Sequence, residues 1–177
     1  MEGGGSTFWF EMMATDEPQV AVGSDTTHAT WHAHQPDSAP LRLVLYVEDN
    51  LANLKLVERL IERRPDLRLV SAMTGRAGIE LALARLPEVI LMDINLPDIG
   101  GGEALRVLRA DPTTAAIPVI AISANAMPHD VEKGRQAGFF QYLTKPIKVD
   151  EFMQTLNDAL AVARGRLNGA PPSGKAA

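Results

Sequence analysis

Five side chains stand out by type and by position. Glu48 and Asp49 follow the apolar run Leu43–Val47, and Asp93 follows the run Val89–Met92. Ser123 ends the run Val119–Ile122, and Lys145 follows the short segment Gln141–Thr144. In open α/β sheets the ligand crevice lies at the carboxyl ends of the strands. If these segments are strands of one parallel sheet, three carboxylates, a hydroxyl and an ammonium share one edge. Carboxylates held that close raise each other's pKa and destabilise the fold, so positive charge must balance them. Mg²⁺ suits this best, being hard, oxygen-seeking and content to keep several waters. Lys145 brings a second positive charge. The set matches phosphoryl transfer, which needs positioning and charge neutralisation more than covalent assistance. A carboxylate is also a competent nucleophile toward phosphorus.

The elements that must position these groups can be read along the chain. Leu43–Val47, Val89–Met92 and Val119–Ile122 are continuous apolar runs, as expected of strands covered on both faces. Leu67–Ala72 and Gln141–Thr144 give two more strands. Leu51, Leu54, Val57 and Ile61 recur at helical spacing; Ile79, Leu83 and Leu86 mark a second helix, and Leu105 and Leu108 a short third. Met127–Ala137 reads as a weakly amphipathic fourth helix with Pro128 in its first turn. Phe152, Leu156 and Leu160 mark a fifth, expected to stop near Gly165. Five strands alternating with five helices imply an α/β fold, a doubly wound parallel sheet with helices on both faces.

Composition narrows the function. The 177 residues leave room for one ordinary domain plus tails, and 46% hydrophobic content supplies a core. A net charge of −5 argues against a direct nucleic-acid binder. There are no cysteines, which excludes disulfides and thiolate chemistry. No apolar run is long enough to span a bilayer, and the N-terminus lacks a signal-peptide pattern, so a cytoplasmic protein with no membrane contact is expected. Residues 14–40 show no sustained period and read as a disordered linker. His28, His32 and His34 belong to that composition rather than to a metal site. Residues 166–177 read as a disordered tail.

Four segments, Val47-Glu48-Asp49-Asn50, Met92–Pro97, Ile122-Ser123-Ala124 and Tyr142–Ile147, resemble in order the signature segments of response-regulator receiver domains. The resemblance covers residues 41 to about 164. It implies the flavodoxin-like strand order 2-1-3-4-5, which chemotaxis receivers share. It makes Asp93 the phospho-acceptor, Asp49 a direct Mg²⁺ ligand and Glu48 one acting through water. It makes Asn95 the donor of a backbone carbonyl to the metal. Ser123 becomes the hydroxyl that meets the attached phosphoryl group and Lys145 the lysine that pairs with the acceptor. Tyr142 becomes the aromatic switch residue, and Lys145-Pro146 a cis peptide. Such a receiver catalyses its own phosphorylation and dephosphorylation without being a classical enzyme. Its partners would be a histidine kinase core or a histidine phosphotransfer protein. One departure concerns geometry: Gly100-Gly101-Gly102 stands where Asp-Gly is usual, so a looser loop is expected after Asp93.

Residues 3–11, Gly3 to Glu11, resemble the last glycine box and closing strand of a histidine-kinase ATP-binding domain. This makes residues 1–13 a remnant of such a domain and the receiver the C-terminal part of a hybrid sensor kinase. The other ATP-binding boxes and the kinase histidine are absent, so ATP binding is not expected. The residues after 165 are too few for an output domain, which points to signalling through a partner. Three rival readings fit less well. A phosphatase with an aspartyl nucleophile would need a second acid where Asn95 stands. A dinucleotide-binding protein would need glycines where Glu48-Asp49-Asn50 stands. A pseudo-receiver serving only as an interaction module would have no use for the complete acidic set.

Overall fold

The computed structural model describes residues 41–124 and 127–167. The elements follow one another as β1 (Arg42–Val47), α1 (Leu51–Glu62), β2 (Leu67–Ala72), α2 (Gly75–Arg85), β3 (Val89–Asp93), α3 (Gly101–Ala110), β4 (Val119–Ser123), α4 (Pro128–Ala137), β5 (Gln141–Thr144) and α5 (Val149–Leu167). All strand pairs are parallel, in the order β2-β1-β3-β4-β5. The expected doubly wound α/β sheet is therefore present. The expectations for residues 1–13, 14–40 and the tail from 168 onward lie outside the described residues.

Strand alternation assigns side chains to two cores. Val44 and Tyr46 of β1 point to one face, against Leu54 and Val57 of α1 and Phe152 and Leu156 of α5. Leu45 and Val47 point to the other, with Ala82 of α2 and Leu105 and Leu108 of α3. Strands β3 and β4 are buried along their whole length, which is why they read as continuous apolar runs. The register aligns the strand tips: Val47 lies beside Met92, Asp93 beside Ile122, and Ser123 beside Thr144.

Local chemistry fixes the helix starts near this edge. Asn50 caps α1, its side-chain oxygen accepting from the Ala52 and Asn53 amides at 2.9 and 3.3 Å. Thr74 caps α2 through the Ala77 amide at 3.2 Å. Asp98, on the loop after β3, adds a carboxylate to the same α2 terminus. It accepts from the Gly75 and Arg76 amides at 2.8 and 2.9 Å.

Three expectations change. The spacing of Ile79, Leu83 and Leu86 marks α2, but of the three only Ile79 packs against the core. Gly75, Gly78 and Ala82 face inward, while Leu83 and Leu86 are 42% and 54% exposed. The reason is close approach: a Cβ on Gly78 would lie 2.6 Å from Cγ2 of the buried Val47. The loop after Asp93 is pinned rather than loosened by its glycines. The Gly101 amide donates to the Ile94 carbonyl at 3.0 Å, and a Cβ there would strike the Asp93 carbonyl oxygen. Finally, α5 passes through Gly165 and ends at Leu167, taking Arg166 and Leu167 out of the tail. An interior glycine costs a helix only about 1 kcal/mol, too little to end one docked along its length.

Two outcomes follow. Gly78→Ala should lower the unfolding free energy by about 1–3 kcal/mol, because overpacking against Val47 outweighs alanine's better helix propensity; chemical denaturation reads this. The Asp98 carboxyl is held down to about 2, first by the Arg76 amide and also by those of Ile99 and Gly75. A folded-state pKa below the unfolded one stabilises the fold at higher pH, and that stabilisation disappears as pH falls toward 2. Asp98→Asn should therefore be less stable than the parent at neutral pH, with the gap narrowing in acid.

Candidate functional site

The tips of β1, β3, β4 and β5 bring the expected residues together. The Lys145 ammonium lies 2.6 Å from Asp93 Oδ2 and 2.8 Å from Glu48 Oε2, and also reaches Glu48 Oε1 at 3.0 Å. It thus bridges two carboxylates from different strands. Carboxylate oxygens of Glu48, Asp49 and Asp93 all lie within 4.8 Å of one another. Glu48 is fully buried, Asp93 is 3% exposed, and Asp49 faces solvent. Ser123 is buried at the end of β4, and its carbonyl accepts the Lys145 amide at 2.8 Å, tying β4 to the lysine's backbone. The Lys145-Pro146 peptide is cis.

Asn95 sits in the turn after β3, where its amide donates to Asp93 Oδ1 at 2.8 Å. Asn95 and Ser123 line a cleft of about 390 Å³ together with Gly134, Phe139 and Tyr142. Tyr142 is half-buried and meets Phe139 edge-on, ring centroids 6.0 Å apart. Its ring packs where a Cβ on Gly134 would be, so α4 approaches β5 only because residue 134 is glycine. Every site residue expected from the sequence thus lies at one end of the sheet.

Two polar residues at this site were not anticipated. Tyr46, read as one more residue of an apolar strand, donates its hydroxyl to Glu48 Oε2 at 2.7 Å. Asn53, in the first turn of α1, donates to Glu48 Oε1 at 2.9 Å. The usable signal was the strand period: Tyr46 and Glu48 are two residues apart and share a face.

Burial and partners act differently on the two buried acids. Burial alone would push the Glu48 carboxyl up, but donors from Lys145, Asn53 and Tyr46 reverse this and hold it below its ordinary value. Asp93 is raised, by burial first and by the neighbouring Glu48 charge, against the opposing pull of Lys145 and the Asn95 amide. Burial works to lower the Lys145 ammonium, yet Asp93 and Glu48 raise it, so it remains charged. Three carboxylates thus face one bridging ammonium, and the donors are hard oxygens with one acid open to solvent. That combination fits Mg²⁺.

The comparisons with known proteins agree with this geometry. The profile of the response regulator receiver domain matches residues 44–157. The chain belongs to the response regulator receiver family. The polar-differentiation response regulator DivK of Brucella ovis is 40% identical over 120 residues, covering 68% of this chain and 97% of that protein. The receiver domain of a Pseudomonas aeruginosa sensor histidine kinase, solved with magnesium in its active-site cleft, is 33% identical with a TM-score of 0.63. That match covers 69% of this chain and 99% of the other. A Francisella response regulator receiver domain superposes with a TM-score of 0.63 at 25% identity, over 68% of this chain and 97% of its own. Membership makes this a phosphoryl-accepting module of two-component signalling, a family that works with histidine kinases or phosphotransfer proteins. Among the described residues no helix is long and apolar enough to cross a membrane.

Calorimetric titration should show one Mg²⁺ bound, and a hundredfold excess over Kd should add about 2.7 kcal/mol to stability. Asp49→Asn should remove that gain. Ligating carboxylates must be ionised, so affinity should fall as pH drops through the raised Asp93 pKa. The fall should begin above the ordinary aspartate value of 3.8.

Proposed function

We propose that Asp93 accepts a phosphoryl group from a phosphohistidine, carried by a kinase core or by a histidine phosphotransfer protein. The observation that carries this reading is the Lys145 ammonium held 2.6 Å from a buried Asp93 carboxylate in an acidic pocket. A surface lysine has no reason to be held so, whereas an acceptor needs a cation that can follow the incoming charge.

In the forward step an Asp93 carboxylate oxygen forms a bond to phosphorus while the bond from phosphorus to the histidine nitrogen breaks. The leaving imidazole keeps the bonding electron pair and takes a proton. Asp93 becomes an acyl phosphate, which water hydrolyses or a second histidine accepts. Lys145 shifts from the carboxylate to the phosphoryl oxygens, and the Ser123 hydroxyl donates to one of them. Asp49, Asp93 and the Asn95 carbonyl would hold Mg²⁺, with Glu48 acting through water, and the ion would supply the remaining positive charge. The phosphoryl group adds roughly −1.5 to −2 charge if it behaves like other phosphoryl groups. Closing Ser123 onto it opens room beside Tyr142, whose ring turns inward and shifts α4 and β5.

The likeness of residues 3–11 to the end of a kinase ATP-binding domain supports a receiver that works beside a kinase core in the cytoplasm. Kinase boxes in the upstream coding sequence would support this placement, and their absence would count against it.

Incubation with a small acyl phosphate and Mg²⁺, followed by intact-mass measurement, should show one phosphoryl group added. Asp93→Asn should gain none. A pseudo-receiver that only binds partners would gain no mass in either form.

A further inference from the structure

We propose that Tyr46 and Asn53 are positioning residues for phosphoryl transfer: together they fix the Glu48 carboxylate as the rear anchor of Lys145, so that the ammonium stays on Asp93. The inference rests on the reading that Lys145 assists at Asp93, and it concerns what holds that lysine in place.

Tyr46 is costly where it stands. It is fully buried in β1, at a position where an aliphatic residue or phenylalanine would fill space without desolvating a hydroxyl. Its hydroxyl meets Glu48 Oε2 at 2.7 Å. The other carboxylate oxygen, Oε1, accepts from Asn53 Nδ2 at 2.9 Å and from the Asn50 amide at 3.3 Å. Lys145 Nζ reaches both oxygens, at 2.8 and 3.0 Å. Donors from β1, α1 and the end of β5 therefore converge on a carboxylate that has about four acceptor sites. Turning it toward Asp49 would break contacts on both oxygens at once.

The consequence is a division of labour among the three acids. Asp49 is open to solvent and available to bind a cation directly, whereas Glu48, with both oxygens engaged by protein donors, anchors Lys145 and reaches a cation only through water. The ammonium is then pinned from behind by Glu48 and presented to Asp93 in front. Without the Tyr46 hydroxyl or the Asn53 amide, the carboxylate gains freedom to rotate. Lys145 then spends less time on the acceptor, although every group that touches the phosphoryl remains present.

The test uses the full chain without metal, and the ¹⁵N NMR signal of the Lys145 ammonium, assigned by its loss in Lys145→Arg. Slow proton exchange is expected in the parent. Tyr46→Phe should speed it roughly tenfold, the size expected for one lost charge-assisted hydrogen bond. Asn53→Ala should act in the same direction, and the double variant should fall short of the product of the two, because both act on one carboxylate. The maximal rate of phosphorylation by a small acyl phosphate should fall by a similar factor while Mg²⁺ affinity holds. Should Tyr46→Phe fail to fold, Asn53→Ala, at a half-buried helix position, carries the same test alone. Parent-like ammonium exchange in the folded variants would overturn the inference. A responsive ammonium in a parent chain that never takes up phosphoryl would instead overturn the reading it rests on.

Discussion

One electrostatic constraint organises this molecule: two buried carboxylates from different strands share a single ammonium. Glu48 and Asp93 could not both stay ionised in that environment alone, and Lys145 lies within 3.0 Å of each. Neither half of this arrangement is cheap. Burying a charge requires a partner with good geometry, and here the partner comes from 97 residues beyond Glu48 and 52 beyond Asp93. The pocket therefore exists only when β1, β3 and β5 are in register. Folding and the chemistry of the site depend on the same contacts.

The register is enforced by details that look minor in the sequence. Gly78 lets α2 sit directly on Val47, the residue before Glu48. Gly101 lets α3 start against the Asp93 backbone, and Asp98 ties the loop after Asp93 to the start of α2. On the other side of the site, Gly134 leaves space for the Tyr142 ring. Rigid support thus surrounds Asp93, while on the α4 side, where Ser123 and Tyr142 share a cleft, Gly134 alone is buried among the described residues of the helix. A site that must hold an acid in place yet transmit its modification needs both kinds of surroundings.

Much of this was legible before the structure. Strands covered on both faces must be apolar throughout, so β1, β3 and β4 announced themselves, and polar residues at their ends stood out. The strand order came from family resemblance rather than from the pattern, and the sheet has it. What was hidden has a common cause. The fully buried positions of α2 are glycine and alanine, which carry little hydropathy signal, so the exposed Leu83 and Leu86 drew attention. The glycines after Asp93 read as looseness because a sequence does not show which backbone lies against them. Tyr46 was hidden by its own strand: an aromatic in an apolar run looks like packing, and only the third dimension sets its hydroxyl against Glu48.

The most direct test of this shared-ammonium site is a crystal structure of the chain with Mg²⁺ and beryllium fluoride, a stable mimic of the phosphoryl group. The mimic should be attached to Asp93, with the ion between Asp49 and Asp93, and Lys145 should have moved onto the mimic with Ser123 beside it. A mimic bound elsewhere, or a Lys145 ammonium that turns away from an occupied Asp93, would contradict the central claim.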